Sequence, residues 1–284
     1  FCNSSQESML VNGKLIASTQ EQRLRDRLLL IPSKKVCFVV LSDNPAIQQF
    51  IKMKLRVANR IGVATEIKKG VGVTTTKQAL DFVSTLIFSD YDGIIIQLPL
   101  PQAIDVQAVL DLIPLDKDID VLSTLSKKEY CTGVNPKMPP VANAVQSVLE
   151  ALSVDVANKK IVVAGHGRLV GEPVCSMFER MNIPFDVIDI TTKEEERSGI
   201  LRHADIIISG MGIPHAIKPD MVKSGVILID AGTSEQEGKL IGDIDPACEQ
   251  KATILTPVPG GIGPLTVIGL FENLLKIDRN DQAT

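Results

Sequence analysis

Several absences in this sequence narrow what it does. Its 284 residues carry 30 lysines and arginines against 34 aspartates and glutamates, a net charge of -4. A nucleic-acid binder concentrates basic residues on one face, so this balance gives no sign of that class. No run of about 18 apolar residues occurs, so no membrane-crossing helix is expected. Phe1 to Leu10 is polar and lacks the charged-then-apolar plan of a secretory leader, and the cytoplasm is the expected location. Histidine is scarce, and His166, His203 and His215 show no metal-ligand spacing. Cys2, Cys37, Cys131, Cys175 and Cys248 are odd in number and lie dozens of residues apart. That is the pattern of reduced thiols rather than of a disulfide framework or a zinc site. No metal is expected, and the chain carries no internal repeat or low-complexity segment.

What is present is globular. Hydrophobic residues make up 44% and charged residues 23%, and the length suits about two domains. Apolar runs of strand length alternate with helical segments. Val36–Leu41 reads as a strand, and Ser42-Asp43-Asn44-Pro45 then caps and opens a helix to about Arg60, closed by Gly62. Ala64–Ile67 reads as a strand, Thr75–Phe88 as a helix and Gly93–Gln97 as a buried strand. Continuous rather than alternating apolar runs are what a parallel sheet covered on both faces requires. The proline-rich stretch Pro136–Pro140 approaches a domain boundary, and Val141–Leu152 is helical. A second series follows: strands at Lys160–Ala164, Phe185–Asp189, Asp205–Ser209 and Val226–Asp230, and a last helix from Leu265 to Ile277 with Asn273 and Lys276 on its polar side. The fold class is α/β with two doubly wound units. Residues 1–140 and a returning helix 265–284 form one domain, and 141–264 a Rossmann-type domain.

Five features carry chemistry. The strand ending at Ala164 runs into Gly165-His166-Gly167-Arg168-Leu169-Val170-Gly171 and then a helix. Such a turn aims backbone N–H groups and a helix N-terminus at a pyrophosphate. Its spacing exceeds Gly-x-Gly-x-x-Gly by one residue, so an ordinary βα turn has equal standing on spacing alone. Asp189 closes the next strand, where an acid hydrogen-bonds an adenosine ribose in NAD enzymes and repels the 2′-phosphate of NADP. Phe50 and Lys54 share a helical face, although Lys52 and Arg56 nearby suggest an ordinary solvated patch. Gln97-Leu98-Pro99-Leu100-Pro101 follows a fully apolar strand, placing a polar side chain where α/β sheets bind ligands. Asp116-Lys117-Asp118-Ile119-Asp120 is an acidic loop, and Pro257–Pro264 holds six glycines and prolines in eight residues, a backbone able to approach a ligand closely.

Together these motifs resemble the bifunctional methylenetetrahydrofolate dehydrogenase/methenyltetrahydrofolate cyclohydrolase family. Asp92-Gly93-Ile94-Ile95-Ile96-Gln97-Leu98-Pro99-Leu100-Pro101 is similar to one family signature and Pro259-Gly260-Gly261-Ile262-Gly263-Pro264-Leu265-Thr266 to another. Lys117-Asp118-Ile119-Asp120 and Asn44-Pro45-Ala46 are similar to two shorter ones. The resemblance implies a homodimer acting on tetrahydrofolate derivatives with NAD or NADP. It implies Lys54 as catalytic lysine, Gln97 as its hydrogen-bond partner and Asp120 as the acid that holds the pterin. Substrate contacts would come from Phe50, Gln97, Leu98, Pro99, Asp120, Pro259, Gly260 and Gly261. Dinucleotide contacts would come from Gly165, His166, Gly167, Arg168, Val170, Gly171, Asp189, Gly210, Gly232 and Thr266.

The sequence also departs from the family. Phe50 stands where a tyrosine is usual, Val121 where a glycine follows the second aspartate, Met138-Pro139-Pro140-Val141 where Pro-Cys-Thr-Pro is usual, and His166-Gly167 where Arg-Ser is usual. The last change, with Asp189, favours NAD. The rival readings are a catalytically silent folate- or dinucleotide-binding homologue and a Rossmann dehydrogenase with another substrate.

Overall fold

The computed structural model describes residues 8–42, 45–236 and 239–276. In chain order its elements are β1 (Met9–Leu10), α1 (Gly13–Leu28), β2 (Lys35–Val40), α2 (Pro45–Ile61), β3 (Ala64–Lys69), α3 (Thr76–Ser84), β4 (Gly93–Ile96), α4 (Val106–Leu110), α5 (Thr124–Cys131), α6 (Pro140–Ala151), β5 (Ile161–Ala164), α7 (Gly171–Arg180), β6 (Asp186–Ile188), α8 (Glu194–His203), β7 (Ile206–Ser209), β8 (Val226–Asp230), β9 (Ser234–Gln236), β10 (Lys239–Ile241), β11 (Ala252–Leu255) and α9 (Ile262–Glu272). The chain divides into two compact units, one of Ser18–Pro140 with the residues from Val267 onward, the other of Val141–Thr266 with the residues up to Ala17.

The first unit is built on a parallel sheet in the order β3-β2-β4. Its central strand β2 needs cover on both faces and receives it. Cys37 and Val39 pack with Ile94, Ile96, Ala79 and Val83 on one side. Val40 packs with Ile47 and Ile51 of α2 on the other. Each fully buried aliphatic side chain contributes about 1.5–3 kcal/mol, which fixes the register of the three strands. Strand β3 pairs on one side of β2 and β4 on the other, so the connections reverse between β2 and β4 and leave a crevice at their carboxyl ends.

The second unit carries a six-stranded sheet in the order β1-β11-β8-β7-β5-β6, every pairing parallel. Its reversal falls between β5 and β7, again the point where an open α/β sheet takes a ligand. Strands β5 and β7 are buried throughout, as a sheet covered on both faces demands.

The structure differs from the sequence reading in four places. Residues 8–17 group with the second unit rather than with residues 18–140, because Met9 and Leu10 pair with Ile254 and Leu255. Helix α3 stops at Ser84, short of Phe88, where the Thr85 hydroxyl turns back onto the Phe82 carbonyl. The last helix begins at Ile262 and tightens into a 3-10 turn over Asn273–Lys276. Asn273 is not on a polar side: it is fully buried, and its amide is spent on backbone groups of Ile119 and Met138. The expected capping by Asp43 and Asn44, and the stretch from Ile277 to Thr284, lie outside the described residues.

Candidate active site

At the crevice of the first unit, α2 presents an inward stripe of Ile47, Ile51, Ala58 and Ile61, all buried. Lys54 falls on that stripe, three residues after Ile51 and four before Ala58, while Lys52 and Arg56 are exposed. Its position removes it from the solvated patch that its charged neighbours suggested. The Lys54 Nζ donates to Gln97 Oε1 at 3.1 Å. Gln97 is itself fixed, because it is buried, its backbone N–H donates to Val39 and its Nε2 donates to the Leu98 carbonyl at 3.1 Å. The amide oxygen is thereby left facing the lysine.

Asp120 completes the group. Burial pushes the Lys54 ammonium below the ordinary lysine range, with the Asp120 charge opposing that fall. Burial likewise pushes the Asp120 carboxyl up, with Lys54 opposing and Asp118 adding to the rise. Desolvation is the largest cause in both, and each charge opposes the shift of the other. The acidic loop is thus sorted by role. Asp118 is buried and accepts the Ser123 N–H at 2.9 Å and the Leu122 N–H at 3.4 Å, which closes the turn. Asp120 is half-buried and, among the described residues, its carboxylate has no hydrogen-bond partner. Beneath the loop, a Cβ on Gly93 would meet Ile119 Cδ1 at 2.8 Å, so the glycine lets that loop settle onto β4.

In the second unit the turn after β5 is interlocked by glycine. A Cβ on Gly171 would lie 2.0 Å from the Gly165 carbonyl, one on Gly165 2.5 Å from the Gly210 carbonyl, and one on Gly210 2.2 Å from Val170 Cγ1. Gly167, by contrast, is exposed with nothing within 4 Å, an open backbone surface. Val170 caps α7 without any side-chain acceptor, the Glu172 N–H donates to the Gly167 carbonyl at 3.1 Å and Pro173 has no N–H, so the first turn of the helix is closed mainly by the glycine turn itself. Gly165 donates to the Ile188 carbonyl at 2.7 Å, which sets Asp189 beside the turn. The Asp189 carboxylate accepts the Thr191 N–H at 2.8 Å and hydroxyl at 2.7 Å. Those bonds, with His166 adding its charge, hold Asp189 below the usual carboxylate range. These residues fit a dinucleotide: a cradle that side chains would fill, an open backbone surface at Gly167 and an anchored acid at the strand end.

Comparison with known proteins agrees over nearly all of the chain. The family model for the catalytic domain of tetrahydrofolate dehydrogenase/cyclohydrolase matches residues 11–120, and that for its NAD(P)-binding domain matches residues 139–282. A curated relative from Methanospirillum hungatei, named bifunctional protein FolD, is 33% identical over 96% of this chain and 98% of its own. The chain belongs to the tetrahydrofolate dehydrogenase/cyclohydrolase family. Among solved structures, the bifunctional methylenetetrahydrofolate dehydrogenase/cyclohydrolase of Campylobacter jejuni superposes with a TM-score of 0.88 at 30% identity, covering 95% of this chain and 98% of that one. The Trypanosoma brucei enzyme, solved with NADP and an inhibitor, gives 0.87 at 25% identity, covering 95% and 97%.

Within this tetrahydrofolate dehydrogenase/cyclohydrolase fold, Lys54, Gln97 and Asp120 gather in one unit. Phe50 lies one helical turn before Lys54 and is half-buried, as is Leu98, while Pro99 is exposed. Pro259, Gly260 and Gly261 belong to the other unit, where the start of α1 packs on them: a Cβ on Gly13 would meet the Gly261 carbonyl at 1.9 Å. In the dinucleotide turn Arg168 is half-buried; Thr266 is half-buried in α9, where its hydroxyl donates to the Ile262 carbonyl. Val121 has φ of 56°, the left-handed backbone that suits glycine and strains a β-branched residue. Among the described residues, no three His, Cys, Asp or Glu side chains are placed to hold a metal ion.

Sequence reasoning missed a buried pair of acids beneath Gly232. Asp243 occupies the space a Gly232 Cβ would take, and it binds the Ser209 hydroxyl and the Met211 and Ile213 N–H groups. Asp230 accepts the N–H groups of Gly232, Asp243 and Ile244. Together they tie down the loops after β7 and β8. Their signal was acids set beside glycines, in Asp230-Ala231-Gly232 and Gly242-Asp243.

Proposed function

We propose that this chain oxidises 5,10-methylenetetrahydrofolate to the 5,10-methenyl cation with a nicotinamide dinucleotide and hydrolyses that cation to 10-formyltetrahydrofolate. The observation that carries the reading is the Lys54–Gln97 hydrogen bond beside Asp120, with both ionisable groups desolvated. The dinucleotide, when bound by the turn from Gly165 to Gly171, supplies the acceptor for the hydride that leaves the methylene carbon. Asp120 accepts hydrogen bonds from the pterin ring, whose 2-amino-4-oxo edge presents N–H donors to a carboxylate. Lys54, whose ammonium gives up its proton more readily because burial lowers its pKa, takes one proton from the water that attacks the methenyl carbon. Gln97 holds the amine in line. As the carbinol collapses, the carbon–oxygen double bond forms and the bond to N5 breaks. Lys54 returns its proton to N5, and the carbinol O–H proton passes to solvent.

The preference for NAD over NADP belongs to the same proposal. Asp189 stands where a 2′-phosphate would come, and a like-charge contact at a few ångströms costs on the order of several kcal/mol at an effective dielectric of about 20. A ribose hydroxyl would instead gain a charge-assisted hydrogen bond. The homodimer and the cytoplasmic location are carried forward with it. The test is an absorbance assay for methenyl product with purified protein and methylenetetrahydrofolate, run with NAD and with NADP. Formation that needs a dinucleotide and runs faster with NAD is expected. No product with either would overturn the activity.

A further inference from the structure

The acid proposed to hold the pterin sits on a loop with little regular structure of its own, so something must fix it. Asp118 closes the loop on itself through Leu122 and Ser123, and Val121 takes a left-handed backbone that gives the acid its direction. From one side, the buried Lys137 ammonium donates to the carbonyls of Leu115 and of Asp116. From the other comes Asn273, 0% exposed in the 3-10 turn that follows α9. Its Nδ2 donates to the Ile119 carbonyl at 2.8 Å and to the Met138 carbonyl at 2.8 Å, and its Oδ1 accepts the Met138 N–H at 3.1 Å. One amide therefore uses both donors and its acceptor on two segments far apart in sequence. The Ile119 carbonyl belongs to the peptide that joins Ile119 to Asp120.

We propose that Asn273 is a positioning residue for folate binding, setting the direction of Asp120 by clamping the peptide bond next to it to the Met138 segment. The inference rests on the substrate role of Asp120 proposed above. It also gives the altered Met138-Pro139-Pro140 stretch a use, since only backbone groups of Met138 are engaged and its side chain is free to vary. A carboxylate displaced by a fraction of an ångström loses the alignment that a two-bond contact to a pterin edge requires.

The experiment is a double-mutant cycle on the full chain, using Asn273→Ser, Asp120→Ala and the pair, with KM read separately for methylenetetrahydrofolate and for the dinucleotide. Asn273→Ser is expected to raise the folate KM about tenfold while leaving the dinucleotide KM within about twofold, the loss of roughly one well-placed hydrogen bond. In the Asp120→Ala background the same change is expected to add less than about twofold, because its effect runs through the missing carboxylate. Asn273→Asp, which keeps the shape and removes both donated bonds, repeats the cycle should the serine variant fold poorly. Equal penalties with and without Asp120 would show a purely structural role and overturn the inference. A normal folate KM in Asn273→Ser with a raised one in Asp120→Ala would overturn this inference alone. A normal folate KM in Asp120→Ala would overturn the substrate reading itself.

Discussion

Two side chains carry the proposed recognition of folate and of the dinucleotide. Asp120 is half-buried with its carboxylate open, and the Lys54 charge opposes the rise that burial imposes on it. Asp120→Ala is therefore expected to weaken folate binding by about 1.5–3 kcal/mol, the worth of a charged hydrogen bond, with dinucleotide binding unchanged. Titration of both ligands measures it, and equal folate affinity would return Asp120 to an ordinary loop acid. Asp189 is the residue proposed to play the corresponding part for the cofactor. The Thr191 bonds hold it ionised, so an anion stands at the strand end throughout the neutral range. In Asp189→Ser the ratio of kcat/KM for NAD over NADP is expected to fall by at least about tenfold, as repulsion of more than about 1.4 kcal/mol is removed. A wild-type preference for NADP, untouched by the substitution, would show that the acid does not face the ribose.

At the scale of elements, the glycine turn is a packing device before it is a binding one. Gly171→Ala brings a methyl against the Gly165 backbone carbonyl, which has no flexible end to move aside. The expected cost is about 1–3 kcal/mol of stability together with weaker dinucleotide binding, read by thermal melting with and without NAD. A melt and affinity equal to wild type would mean that the turn is looser than described. The elements built from continuous apolar runs were legible in the sequence, because the interiors of β2, β4, β5 and β7 are buried on both faces and polar residues stand only at their ends, as Lys35 and Ser209 do. Helix α1 was not, since most of its residues are polar or charged and its apolar positions form a weak stripe. Strand β1 is two residues long and exists by pairing with β11, which no local pattern announces. Lys54 was legible only with help from the resemblance. Its neighbours are exposed charges, and its place on the stripe of Ile47, Ile51, Ala58 and Ile61 is what separates it from them. Asn273 was read the wrong way because an amide in a helical pattern is more often solvated than spent on distant backbone.

For the molecule as a whole, the buried Asp230 couples stability to pH. Burial, with Asp243 nearby, raises the Asp230 carboxyl to about 7. A raised acid stabilises the fold while protonated, so its contribution is full below the unfolded value near 4 and is lost as pH rises toward 7. About three pH units at about 1.4 kcal/mol each give a loss of about 4 kcal/mol. Relative to Asp230→Asn, the wild type is expected to lose stability between about pH 4 and pH 7 and to run parallel above it. Parallel denaturation curves across that whole range would contradict the assignment.

The central claim is that Lys54, held by Gln97 and faced by Asp120, moves the protons of hydrolysis. It is tested most directly by supplying methenyltetrahydrofolate to purified wild type and Lys54→Met and following the loss of its absorbance above the uncatalysed rate. The account predicts enzymatic hydrolysis by the wild type and none by Lys54→Met, which should still melt like wild type and bind the dinucleotide. Hydrolysis by Lys54→Met at the wild-type rate would contradict it.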